Sequence, residues 1–232
     1  MHPWPLVKAV GATKTYESGP LRIDALRGVD LEILQGEMVA IMGPSGCGKT
    51  TLLNCLSGLD ELTSGEVYVD GQPLSKMTDG QKTEYRAKRM GFIFQSYNLL
   101  PILTAVENVE LPLLIAGRRP KEARQRAAMD LLDLVGMKGR ESHRPSELSA
   151  GQQQRVAIAR ALANSPAMVW ADEPTGNMDT ETSRQVMQLL RRLNAEARKT
   201  FVFVTHDPAV SGWASRTLKM VDGRIVEDSG SR

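Results

Sequence analysis

The run Gly43-Pro44-Ser45-Gly46-Cys47-Gly48-Lys49-Thr50 constrains this chain more than any other stretch. It follows an apolar, strand-like run, Met38-Val39-Ala40-Ile41-Met42, and precedes Thr51-Leu52-Leu53-Asn54-Cys55-Leu56, which reads as a helix. Strand, then G-x-x-x-x-G-K-T, then helix is the context that a phosphate-binding loop requires. Its glycines let the backbone wrap around an anion with N–H groups pointing inward. The helix that starts there adds partial positive charge. Gly43 to Thr51 are therefore the expected nucleotide-binding run, with Lys49 on the β- and γ-phosphates and the Thr50 hydroxyl on Mg²⁺. The chain is expected to bind a nucleoside triphosphate.

At 232 residues, with 41% apolar and 24% charged side chains, the chain can bury a sizeable core and has ordinary globular composition. A formal net charge of +2 gives no electrostatic case for nucleic acid as a partner. Cys47 and Cys55 form no metal or disulfide framework, which fits a reducing compartment. Cys47 sits beside Lys49 and a helix start, surroundings that lower a thiol pKa. Its thiol is expected to be open to alkylation, and Cys55 to face the buried side. No window approaches the ~18 apolar residues of a membrane span. The start, Met1-His2-Pro3-Trp4-Pro5, lacks the basic and apolar regions of a signal peptide. A soluble, cytoplasmic protein is the expectation.

The first third reads as short strands: Leu6 to Tyr16, Val29 to Leu34, Met38 to Met42 and Glu66 to Val69, followed by Met90 to Phe94. From about Thr104 to Ala163 the pattern is mainly helical, with apolar spacing in Ala127, Leu131, Leu134 and Val135, then Val156, Ala159, Leu162 and Ala163. Strands return at Met168 to Ala171, Phe201 to Thr205, Thr217 to Val221 and Arg224 to Glu227. An amphipathic helix, Thr182 to Ala197, lies between the first two of these. An α/β core interrupted by a helical insert is the simplest account.

Met168-Val169-Trp170-Ala171-Asp172-Glu173 is an apolar strand that ends in two carboxylates. Behind a phosphate loop, Asp172 can organise Mg²⁺ and its waters, and Glu173 can polarise a water for in-line attack on the γ-phosphate. A further motif, Leu148-Ser149-Ala150-Gly151-Gln152, leads into Gln153-Gln154-Arg155-Val156-Ala157. It resembles the signature sequence of ATP-binding-cassette (ABC) ATPases, usually written LSGGQ. The rest of that family's set follows in order. Tyr16 looks like the aromatic that stacks on adenine, Gln95 like the Q-loop glutamine that meets Mg²⁺ and water, Asp179 like the D-loop aspartate, and His206 like the switch histidine at the γ-phosphate. Two residues depart from the pattern. Ala150 stands where Gly is commonest, and Trp170 is bulky for a core strand.

The resemblance implies an α/β P-loop NTPase (RecA-like) core with an N-terminal antiparallel β subdomain and an inserted helical subdomain. The core would comprise residues 1–94 and 166–232, and the helical signature subdomain 95–165. It implies ATP and Mg²⁺ as cofactors, with Glu173, His206, Gln95 and Lys49 catalytic and Thr50, Gln95 and Asp172 toward the metal. It also implies a head-to-tail dimer with a second copy of the chain, in which Ser149, Ala150, Gly151 and Gln152 complete the opposite subunit's site. The other implied partner is an integral membrane permease, gripped by a groove near Gln95 to Pro101, so that the chain would lie on the cytoplasmic face of the membrane. Phe94 to Pro101, Glu107 to Leu113, Ala171 to Asn177 and Leu26-Arg27-Gly28-Val29 look like the branch of bacterial macrolide-export, lipoprotein-releasing, cell-division and antimicrobial-peptide-resistance ATPases. That branch favours export or mechanical extrusion. An importer motor is the alternative, since amino-acid uptake ATPases share Gln152 to Ala157. Soluble ABC proteins of DNA repair or translation generally carry two cassettes or long inserts, which this chain lacks.

Overall fold

A computed structural model describes residues 4–117 and 120–230; Met1 to Pro3, part of the start read above, lie outside them. Two sheets share the work. The first is antiparallel, in the order β2-β1-β4-β5, with β1 Val7–Ser18, β2 Leu21–Ile33, β4 Ser64–Val69 and β5 Gln72–Pro73. The second has six strands in the order β10-β9-β3-β8-β7-β6. These are β3 Met38–Met42, β6 Met90–Ile93, β7 Met168–Asp172, β8 Thr200–Thr205, β9 Arg216–Val221 and β10 Arg224–Asp228. All run parallel except β10, which folds back on β9.

The central strands are apolar without interruption because both faces of the sheet are covered. Strand alternation then divides the side chains between two cores. Val39, Ile41, Trp170, Val202 and Val204 face the antiparallel sheet and α1, Lys49–Leu56. Met38, Ala40, Val169, Ala171, Phe201 and Phe203 face the helices on the other side. Those are α3 Ala105–Ile115, α4 Lys121–Leu134, α5 Ala150–Leu162 and α6 Thr180–Ala197. A polar helix α2, Asp79–Arg89, and a short α7, Pro208–Ser211, are the remaining α-helices among the described residues. Trp170 is fully buried, and its bulk fills the first core; its indole N–H has no partner among the described residues.

Two expectations need correction, and one helix went unread. The second strand begins at Leu21 rather than Val29, because its outer half pairs with β1 while its side chains stay exposed, so no alternation marks it. Helix α2 buries no residue, so apolar periodicity could not reveal it; a Thr78–Gln81 capping box starts it instead. In α4 the inward face is Ala128 and Leu132, followed by Val135 just beyond the helix, while Leu134 is exposed.

Candidate active site

The chemistry collects outside the carboxyl ends of the parallel strands, where open α/β sheets place their ligands. β3 runs into the loop 43–48, β6 reaches Gln95, β7 ends at Asp172, and β8 leads to His206. Gly48 has φ +100°, and a Cβ there would lie 2.4 Å from the Ala25 carbonyl oxygen, so only glycine fits. Lys49 is largely buried, and its ammonium donates to the carbonyls of Gly43 at 2.9 Å and Pro44 at 2.8 Å. The Thr50 hydroxyl donates to Asp172 Oδ1 at 3.0 Å. Burial, helped by the neighbouring Glu173 charge, pushes the Asp172 carboxyl above its ordinary range, against the pull of Thr50 and Lys49.

Glu173 occupies a left-handed backbone conformation, φ +46°, which costs energy for a side-chain-bearing residue. Its amide donates to Val204 O at 3.2 Å, so β8 holds the turn. His206 Nδ1 lies 2.8 Å from Glu173 Oε1. A Cβ on Gly176 would stand 3.0 Å from Gln95 Nε2 and 3.2 Å from Glu173 Oε2, so these two side chains converge over the glycine. Asn177 Nδ2 donates to Gln95 O at 3.2 Å.

One cavity of about 650 Å³ joins Tyr16, Ser45, Gly46, Gly48, Lys49, Thr50, Thr51, Gln95, Asp172 and Glu173. Sequence reasoning missed Arg22, Asp24 and Arg27, which line it from the outer half of β2, and Asp222 of the β9–β10 turn. The missed strand start explains the omission of the three β2 residues.

The Cys47 expectation fails. The residue is only 5% exposed and belongs to the first core, and its carbonyl accepts from Gly223 N at 3.0 Å. The loop turns its backbone, not this side chain, to the cavity. Cys55 is buried as expected, and burial raises its pKa to about 12.

Ser149 to Gln152 do not line the cavity. Ser149 caps α5, and the Gln152 side chain returns the bond to the Ser149 amide at 3.0 Å. Ser149 and Ala150 are exposed, whereas a Cβ on Gly151 would meet Thr182 Cγ2 at 2.6 Å. Asp179 caps α6 through Thr182, whose hydroxyl and amide donate at 2.6 and 2.9 Å and hold its carboxyl below the usual range.

A second cavity, about 370 Å³, is an apolar groove between α2, β6, α3 and α5, floored by Met90, Phe92 and Phe94 and walled by Leu111, Pro112 and Ile115. Of residues 95–101 only Asn98 lines it, and Leu99 packs into the second core instead. Arg160 of α5 lines the groove too and donates to the carbonyls of Tyr97 and Asn98, both left-handed.

The family model described as "ABC transporter" matches residues 26–176. The chain belongs to the ABC transporter family. As an ABC transporter ATP-binding subunit, it is an ATPase. The chain is 50% identical to an uncharacterized ABC transporter ATP-binding protein of Thermotoga maritima, over 95% of this chain and 93% of the relative. It is 46% identical to MJ0796 of Methanocaldococcus jannaschii, an uncharacterized ABC transporter ATP-binding protein, over 98% of each. A dimeric, post-hydrolysis structure of the MJ0796 cassette with ADP and Pi superimposes with a TM-score of 0.90 at 45% identity, covering 97% of this chain and 99% of that one. Among the described residues no helix is long and apolar enough to cross a membrane.

Proposed function

We propose that this ABC subunit closes as a head-to-tail dimer around two ATP molecules and drives a separate membrane permease in export or mechanical extrusion. The observation that carries the dimeric reading is the division of the motifs. Lys49, Thr50, Gln95, Asp172 and Glu173 share one cavity, and Ser149 to Gln152 stand outside it. An exposed helix N-terminus with a serine cap suits an anion presented by another subunit. The MJ0796 cassette, a dimer in its structures, supports the pairing of two copies.

Within each site the Lys49 ammonium and the loop amides bind the β- and γ-phosphates, and Tyr16 stacks on the base. Thr50 Oγ1 and Asp172 Oδ1, 3.0 Å apart, with Gln95, form an all-oxygen donor set suited to Mg²⁺. Mg²⁺ held by these residues would supply positive charge beside the phosphates. Glu173 polarises the attacking water, and His206 holds Glu173 through the Nδ1 contact and meets the γ-phosphate. The division into a core, 1–94 with 166–232, and a helical part, 95–165, gives closure two bodies to move. The apolar groove accepts a short helix of the permease.

Glu173→Gln tests the chemistry. ATP binding should persist while turnover falls roughly 10²–10⁴-fold, and the closed dimer should accumulate in size-exclusion chromatography with ATP and Mg²⁺. Parental turnover would remove Glu173 from the mechanism. Transport direction is tested by the membrane subunit that co-purifies: one with an extracytoplasmic domain supports extrusion, and one served by a solute-binding protein supports import.

A further inference from the structure

Two different sheets would hold the two ends of a nucleotide in this cavity. The phosphate end belongs to the loop and α1 of the parallel sheet, and the base end to Tyr16 on β1 of the antiparallel sheet. Asp60 joins them. Its amide donates to Asn54 O of α1 at 3.2 Å, which fixes it to the helix that begins at Lys49. Its two carboxylate oxygens reach the other sheet. Oδ2 accepts from the Tyr16 hydroxyl at 2.6 Å, and Oδ1 from Lys14 Nζ at 2.6 Å. Lys14 also donates to Glu61 O at 2.7 Å, and its ammonium lies 4.8 Å from the centre of the Tyr16 ring.

The phenol is thus pinned at its tip by Asp60 and on one face by a cation. Burial works against the Asp60 charge, yet the bonds from Lys14 and Tyr16 hold its carboxyl below the usual range. Tyr16 remains 39% exposed and lines the nucleotide cavity, so its open face is available to a base.

We infer that Lys14 and Asp60 are positioning residues for the nucleobase, fixing the Tyr16 ring at a set distance and tilt from the phosphate loop. This rests on the proposed stacking of the base on Tyr16. A charge-assisted pair that orients a ring restricts the geometry of stacking before the nucleotide arrives, which lowers the ordering cost of binding. A purely structural bridge between the sheets would instead affect every ligand of the loop alike.

The test compares Mg-ATP with inorganic triphosphate, which has no base, by calorimetry on the parental chain and on Lys14→Met, Asp60→Asn and Tyr16→Phe. Each variant should weaken ATP about fivefold, the worth of one net hydrogen bond, and leave triphosphate affinity unchanged. The Tyr16→Phe/Asp60→Asn double variant should be no weaker than either single variant. Equal losses for both ligands, or no loss, overturn the inference. Tyr16→Phe removes one oxygen and keeps the ring, so it remains informative should a charge variant fold poorly. Tyr16→Ala separates the two readings. If it leaves the ATP-to-triphosphate ratio unchanged, the stacking reading falls and takes this inference with it. If it changes the ratio while the other variants do not, only the positioning role is lost.

Discussion

Asp172 shows how a single residue carries a functional cost. Its carboxyl is pushed up by burial and by Glu173 beside it, so its ionised form is disfavoured in the folded protein relative to the unfolded chain. The sign follows from linkage. Above the raised folded-state pKa the charge costs stability in full; as pH falls through that pKa the cost shrinks, and below the ordinary carboxylate pKa it is gone. Asp172→Asn keeps an oxygen that can accept from Thr50 and removes the charge. The ligand-free variant should melt a few degrees above the parental protein at neutral pH, with the gap closing as pH falls toward the ordinary carboxylate pKa. ATP hydrolysis should be largely lost in the same variant. Paired thermal melts across pH and a phosphate-release assay check this, and a variant that melts lower at neutral pH contradicts it. Cys47 teaches the converse at this scale. The sequence placed its thiol beside Lys49, but adjacency along a tight loop does not settle which way a side chain turns, and this one turns into the core.

At the scale of elements, α5 links three places. Its N-terminus carries Ser149; one turn on, the fully buried Gln154 donates from Nε2 to Pro174 O; at its far end Arg160 holds the carbonyls of Tyr97 and Asn98. Pro174 follows the strained Glu173 directly, so Gln154 braces the Glu173 turn from the helical side. Gln154→Leu keeps the volume and removes the donor. ATP affinity should hold while turnover falls about tenfold, since a misplaced base costs rate rather than binding. Unchanged turnover would show that β8 alone holds the turn. None of this bracing was legible in the sequence, where Gln154 is one of three glutamines in a row. What was legible were features that local chemistry dictates: the loop with its flanking strand and helix, the carboxylate pair at the end of β7, and the continuous apolar strands. What was not legible depended on a partner strand or a distant helix: the exposed half of β2, the unburied α2, and the Asp60 bridge between sheets.

For the whole molecule the consequence of the proposed dimer is that no chain would complete its own site, since the signature residues stand outside the cavity that holds the phosphate loop. Two defective chains can therefore repair each other. Lys49→Ala removes the ammonium proposed to meet the phosphates, and Ser149→Arg places a long cation at the exposed cap of α5. Each homodimer has two broken sites and should be inactive. In a mixed dimer of head-to-tail geometry both defects fall in one site and the other is intact. Equal mixing gives mixed dimers half the time, each with half its sites working, so activity should recover to about a quarter of parental if the sites act independently. ATPase assays on the two purified variants, alone and co-refolded or co-expressed with separate tags, measure this directly. If the phosphate loop and signature served one site within a single chain, every site in the mixture would remain broken and mixing would restore nothing. Recovery well below a quarter, but above both homodimers, would keep sharing between chains and show instead that the two sites must fire together.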